Sequence, residues 1–257
     1  MNECIDTILQ RKSIRSYLPD SIPENKKQQI TEAMLRAPTA GNQMLYSVIE
    51  VESASLKAKL AETCDHQPFI ADAPWVLIFL ADSQRIYDFF HYSGVDSLVN
   101  SNHAPSAKPR EADLLLASCD ALIAAHTAVL AAESLGIGTC YIGDIMENYE
   151  VHRDLLKLPQ YAVPITMLCL GYPTEQQKNR PATPRLSRDI IISKDSYRHL
   201  QPDEAKSLYD ANLPQNPHFL EGAENHGQHI YLRKFSSPFM QEMRRSVHIM
   251  IENWRED

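Results

Sequence analysis

Between Glu111 and Leu135 the chain runs as one apolar stretch, EADLLLASCDALIAAHTAVLAAESL. It is apolar almost all round. The spacing therefore predicts a helix with almost no polar face, seated at the centre of a large body or of an oligomer. From Leu114 to Leu135 it approaches the length of a membrane span, but Asp120, His126 and Glu133 lie inside that stretch. Charges at bilayer depth are costly, so the stretch reads as a buried core helix and not as a membrane partner. His126 reads as a hydrogen-bonded core histidine. Gly136 ends the helix.

Such a helix needs a body around it, and 257 residues supply one large domain or two small ones. Ile5, Ile8 and Leu9 recur at helical spacing up to Arg11. Ser13, Arg15 and Tyr17 then alternate with Ile14 and Leu18, as in an extended segment that Pro19 breaks. Pro23 to Ala37 reads as a helix with proline in its first turn. Tyr46–Val51 reads as a strand and Leu56–Cys64 as a helix. Trp75–Leu80 (WVLIFL) is continuously apolar, which suits a central strand covered on both faces. Tyr87–Tyr92 fits more than one element. Val95–Arg110 is polar, with two prolines, and reads as a long loop or mobile lid. Gly138–Gly143 reads as a turn and short strand, and Pro164–Leu170 as another buried strand. Gln176–Arg188 is polar and proline-rich, and Leu200–Glu224 has little core periodicity. Met240–Trp254 returns to helix, with Met243, Val247, Met250, Ile251 and Trp254 on one stripe. A tail with so little core of its own must pack on its own subunit or on a second one.

The net charge of -8 argues against nucleic acid as the main partner, because phosphate backbones select basic surfaces. Cys4, Cys64, Cys119, Cys140 and Cys169 are scattered, odd in number and free of any C-x-x-C pair. They read as reduced thiols of a cytoplasmic protein. The N-terminus has early acidic residues and no long apolar run, unlike a secretory signal.

Four distant segments carry candidate chemistry. In Arg11-Lys12-Ser13-Ile14-Arg15, an extended backbone points Arg11, Ser13 and Arg15 to one side, where two guanidiniums and a hydroxyl suit a phosphate and nearby polar oxygens. The run also reads as a solvated basic turn. Ala37-Pro38-Thr39-Ala40-Gly41-Asn42 has small residues that let backbone approach a flat ligand, or it is an ordinary turn. Gly136 to Asp144 (GIGTCYIGD) follows a helix and lacks a G-x-G-x-x-G dinucleotide fingerprint. Arg180 to Arg185 (RPATPR) is a stiff loop presenting arginine. His218, His226 and His229 match no standard metal spacing, and no metal is expected. Cys140 reads as a small buried side chain before a nucleophile.

In this order, with Gln67-Pro68-Phe69-Ile70-Ala71-Asp72-Ala73-Pro74 ahead of the WVLIFL strand and L-G-Y-P closing the later one, the segments resemble the FMN-dependent nitroreductase family over about residues 3–190. The larger, flavin-reductase-like, oxygen-insensitive NADPH nitroreductase subgroup is the most similar. The resemblance implies an α+β three-layer sandwich with a mixed, mainly antiparallel sheet, in a domain-entwined homodimer built on the long helix. It divides the chain into an FMN-binding domain, 1–190, and a C-terminal extension, 191–257, packing on the core or the partner subunit. It implies FMN at the subunit interface. Arg11, Lys12 and Ser13 fall on the phosphate segment, with Arg185 as the late phosphate arginine. Arg15 falls beside the pyrimidine edge. Thr39, Ala40, Gly41 and Asn42 form a turn supplied to the flavin, and Gln67 hydrogen-bonds it. Tyr141, Ile142, Gly143 and Asp144 lie along the ring, with a backbone N–H such as that of Gly143 meeting flavin N5. Two places depart from the family: Gln43-Met44-Leu45-Tyr46 follow Asn42 where x-Q-P-W is common, and Thr183 stands where lysine is often found two residues before the late arginine.

The implied reaction is a two-stage exchange. NADPH or NADH passes hydride to flavin N5 and leaves, and a nitroaromatic, quinone or flavin takes the electrons at the same place. The resemblance favours NADPH. Alternatives are a relative dedicated to one metabolite and a flavin-binding sensor without turnover.

Overall fold

The computed structural model describes residues 2–101, 103–209 and 217–256. Among them, β1 (Tyr46–Glu50), β2 (Trp75–Asp82), β3 (Gly138–Ile142) and β4 (Ala162–Gly171) pair antiparallel in the order β1-β2-β4-β3. The parallel component is a single bridge between Ser13 and Thr139. Every residue of β2 is buried. Its odd and even positions face different cores, as the two-residue period of a strand requires. Trp75, Leu77 and Phe79 join one hydrophobic cluster, while Val76, Ile78 and Leu80 join another. The ladder between β2 and β4 shifts register where Leu80 meets Pro164. Proline has no N–H for a ladder, and a bulge accommodates it in an inner strand.

The helices of the larger body are α1 (Glu3–Gln10), α2 (Glu24–Leu35), α3 (Ala54–Thr63), α4 (Phe69–Asp72), α5 (Gln84–Tyr92), α6 (Val95–Asn100), α7 (Glu111–Ser134), α8 (Tyr149–Leu156) and α9 (Glu175–Asn179). The chain continues through α10 (Arg188–Ile191), α11 (Pro202–Lys206), α12 (His226–Ile230) and α13 (Pro238–Arg255). It divides into two units, Met1–Arg180 with Met243–Asp257, and Pro181–Glu242. In the larger unit α2 and α7 cover one face of the sheet, with Ala121, Ala124, Ala125 and Ala128 against Leu77, Phe79, Leu168 and Leu170. Leu60, Ala61 and Cys64 of α3 and Ile70 of α4 cover the other. The layers are helix, sheet, helix. Trp254 and Met250 of α13 pack with Leu45, Ala81, Tyr149 and Tyr161, and the Trp254 indole N–H donates to the Arg110 carbonyl at 3.1 Å.

The long helix is where the apolar run placed it, and by length and composition it is the one described helix able to cross a membrane. Three segments differ from expectation. Residues 95–100 are helix α6 inside the expected loop, because Val95, Leu98 and Val99 carry helical spacing that the polar composition hides. Residue 102 of that loop, and 210–216 of the aperiodic stretch, lie outside the described residues. Tyr87–Tyr92 belongs to α5, and a short helix, α9, sits in the proline-rich stretch. His126 is exposed and not a core residue, since it lies off the alanine face of α7.

Candidate active site

The Arg11–Tyr17 strap is held across the ends of β3 and β4. The Ile14 N–H donates to the Thr139 carbonyl at 2.8 Å, and the Leu18 N–H to the Tyr172 carbonyl at 2.8 Å. Ile14 is buried and anchors the segment. Contact is so close that a Cβ on Gly138 would lie 2.5 Å from Ile14 Cγ1, and one on Gly171 2.7 Å from the Tyr17 ring. Both positions therefore need glycine. The Tyr17 hydroxyl donates to the Ile14 carbonyl at 2.8 Å, and burial raises its pKa.

The alternation that buries Ile14 leaves Arg11 and Ser13 partly exposed and Arg15 exposed. Lys12 is engaged elsewhere. Its ammonium donates to the carbonyls of Lys178 at 2.7 Å and Arg180 at 2.6 Å, while the Arg180 guanidinium donates to the Ser13 carbonyl. The Arg15 N–H donates to Gln177 Oε1 at 3.3 Å. The start of the arginine loop and the strap thus clasp each other.

Beside the strap, β3 runs out through Tyr141 and Ile142 into a 3-10 turn, Gly143–Met146. Ile142 is buried, whereas Gly143 is exposed with nothing within 4 Å of where a Cβ would stand. Gly143 therefore faces open space between Tyr141 and Asp144. Burial pushes the Tyr141 hydroxyl up to about 12, and it lies 3.5 Å from His126 Nδ1. Cys140 is 1% exposed, and burial raises its thiol, so it is a packing residue and a poor nucleophile.

The turn at Thr39 to Asn42 is held by a residue the sequence reading did not assign to the site. Asp120 of α7, 2% exposed, accepts the Ala40 N–H at 2.9 Å and the Leu45 N–H at 3.1 Å. Thr39 Oγ1 accepts the Met44 N–H at 3.2 Å. Gly41, Asn42 and Met44 all have positive φ, at 55°, 57° and 51°. Non-glycine residues there are strained, and the buried carboxylate over-determines the turn.

Glu133, also unassigned from sequence, holds the other end. Its Oε1 accepts the Thr139 N–H at 3.1 Å and the Thr139 Oγ–H at 2.7 Å. The signal for both residues was visible as lone carboxylates inside an apolar helix, since such groups are kept only with partners. Gln67 is partly buried and donates its amide N–H to the Cys64 carbonyl at 3.0 Å. Arg185 lies in the smaller unit, where its guanidinium donates to the carbonyls of Thr183 at 3.1 Å and Pro184 at 3.3 Å.

One chain thus brings the strap and the Tyr141–Asp144 segment together. The Thr39–Asn42 turn is gathered elsewhere on α7: at about 1.5 Å rise per residue, Asp120 and Glu133 lie about 20 Å apart along the axis.

This order of strap, turn, long helix and glycine-flanked strand is matched by the model of the Nitroreductase family over residues 8–172. The chain belongs to the nitroreductase family. It is 32% identical over 232 residues to the NAD(P)H FMN reductase of Bacillus subtilis, covering 88% of this chain and 86% of that one. It is 29% identical to the NADPH-flavin oxidoreductase of Vibrio harveyi, over 83% and 82% of the two chains. The fold matches nitroreductase A from Vibrio parahaemolyticus with a TM-score of 0.78, at 24% identity and 98% coverage of both chains.

Proposed function

We propose that this nitroreductase-family chain is a cytoplasmic, homodimeric, FMN-dependent oxidoreductase that takes hydride from NADPH or NADH and passes it to a small nitroaromatic, quinone or flavin acceptor. The family and the flavin- and nicotinamide-dependent relatives support the activity. The observation that carries it here is the strap lying across Gly138 and Gly171, with Arg11, Ser13 and Arg15 unburied beside the open backbone of Gly143. That arrangement fits a phosphorylated planar ring, with cations and a hydroxyl at one end and accessible main chain at the other.

Bound there, FMN supplies the hydride chemistry, and the protein supplies binding, orientation and electrostatics. Arg11 and Ser13 hold the phosphate. Lys12 contributes by tying the carbonyls of Lys178 and Arg180 to the strap. Arg15 offsets negative charge at the pyrimidine edge. Thr39, Ala40, Gly41, Asn42 and Gln67 supply polar contacts around the ring. Tyr141, Ile142, Gly143 and Asp144 line one side, and the Tyr141 hydroxyl stays protonated at neutral pH.

The dimer reading is supported by the outer face of α7, which leaves Leu115, Leu116, Leu122 and Ile123 exposed. Monomers rarely expose such a contiguous apolar stripe. Pairing two copies across it joins the turn of one to the strap of the other. Residues 1–190 then supply the flavin site, with 191–257 as an extension. The five free cysteines accord with a reducing compartment.

The test is an anaerobic spectrum of purified protein reconstituted with FMN. Bleaching by NADPH or NADH, and recovery on adding a quinone, is expected. Flavin that binds but is bleached by neither nicotinamide overturns the activity. Arg15→Ala is expected to lower both flavin content and turnover, and unchanged values for both remove its role.

A further inference from the structure

Between α7 and the strap runs a short relay of hydrogen bonds. Glu133 Oε1 accepts both the N–H and the Oγ–H of Thr139, and the Thr139 carbonyl accepts the Ile14 N–H. Ser13 bridges the same threonine. Ile14 is the buried residue between Ser13 and Arg15, so its register decides which way those side chains point. A helix that is almost entirely apolar thus commits one partly buried carboxylate to a single residue of β3.

We propose that Glu133 is a positioning residue for cofactor-phosphate binding: it locks Thr139, and through it the Ser13–Arg15 register, as a hydrogen-bond acceptor and not through its charge. The inference rests on the reading of Arg11 and Ser13 as the phosphate cradle. A carboxylate beside an anion site is otherwise a liability, because like charges repel. Arg11 and Lys12 lie on the strap side of Glu133 and offset this, while burial works to keep its proton on. Both Thr139 donors meet the same oxygen. A glutamine can therefore reproduce both bonds with its amide oxygen while removing the charge.

The experiment compares Glu133→Gln, Glu133→Ala, Thr139→Val and Arg11→Ala by FMN and riboflavin titration, with hydrogen exchange at the Ile14 amide in the cofactor-free protein. Riboflavin lacks the phosphate, so the ratio of the two affinities isolates the phosphate site. Glu133→Gln is expected to bind FMN within about threefold of wild type and to keep Ile14 protected. Glu133→Ala is expected to bind FMN at least tenfold more weakly, with faster Ile14 exchange and little change for riboflavin. Thr139→Val keeps the N–H bond and loses the hydroxyl one, so a smaller loss is expected. It serves as the readout if Glu133→Ala does not fold, and wild-type FMN binding in it would then overturn the relay. Equal losses in the Gln and Ala variants, or none in the Ala variant, overturn the proposal. Arg11→Ala that retains full preference for FMN over riboflavin overturns the cradle reading, whereas a loss of that preference with an unaffected Glu133→Ala overturns the role of Glu133 alone.

Discussion

The two faces of α7 are made of opposite material. Towards the sheet it presents Ala117, Ala121, Ala124, Ala125, Ala128 and Ala132, all fully buried. Away from it stand Leu115, Leu116, Leu122 and Ile123, with Leu115 68% exposed. A helix stabilising a monomer would place the larger side chains inside, where burying each contributes about 1.5–3 kcal/mol. Here small residues let the helix lie close on β2 and β4, and the larger apolar area is left for another surface. The inner face builds the protomer, and the outer face is the one the dimer proposal uses. The polar residues divide in the same way. Asp120 is buried and holds the Thr39–Asn42 turn, whereas His126 is exposed.

Inward and outward substitutions therefore have different consequences. The largest effect is expected from Asp120→Ala, which strips the acceptor from the Ala40 and Leu45 N–H groups. Each unsatisfied donor costs about 1–3 kcal/mol. A loss of roughly 2–6 kcal/mol follows, and thermal unfolding should fall by about 4–24 °C, with release of FMN. A midpoint within a degree or two of wild type would show that the turn does not depend on this carboxylate.

Next is the outer face. Leu122→Glu with Ile123→Glu places charge on the exposed stripe. The protomer's own stability is expected to change by under about 0.5 kcal/mol, while self-association weakens on the order of 100-fold, as for removal of an interface anchor. Sedimentation across a concentration series reads the second effect, and circular dichroism the first. A variant that stays dimeric breaks the assignment of this face.

Ala124→Leu tests the inner face by overfilling it. Added methylenes in a packed core cost about 1–3 kcal/mol, so the unfolding midpoint should drop while the oligomeric state of the folded fraction is kept. An unchanged midpoint would mean that α7 does not lie close on the sheet.

The smallest effect serves as a control away from both faces. Arg245 of α13 hydrogen-bonds Glu150 of α8 at 2.7 Å and holds its carboxyl down to about 2. With its folded pKa below the ordinary value of about 4.3, the pair's contribution is present above that pH and is lost as the pH falls towards 2. Both side chains are more than a third exposed, so after solvent screening Glu150→Gln should cost well under about 1 kcal/mol at neutral pH. Denaturant unfolding at pH 7 and pH 3 reads the difference. A larger loss at pH 3 than at pH 7 would reverse the sign of this linkage.

Much of this fold was legible because it is written in local periodicity. WVLIFL reads as an inner strand, and the long apolar run as a core helix. The alternation around Ile14 gave the strap its direction before any partner strand was known. What stayed hidden depends on contacts far along the chain. Asp120 and Glu133 read as two charges arguing against a membrane span, and their partners at Ala40, Leu45 and Thr139 were invisible without the fold. Lys12 read as one more cation of a basic run, yet its ammonium is held by the carbonyls of Lys178 and Arg180. Helix α6 was hidden by composition, since Asp96, Ser97 and Asn100 mask the spacing of Val95, Leu98 and Val99.

The claim beneath these points is that one chain supplies the phosphate strap, a second supplies the turn, and α7 joins them. It is tested most directly by titrating FMN into the Leu122→Glu, Ile123→Glu variant at concentrations where sedimentation shows only monomer. The expected result is a folded protein that binds FMN at least tenfold more weakly than the wild type. A monomer that binds FMN as tightly as wild type would contradict it.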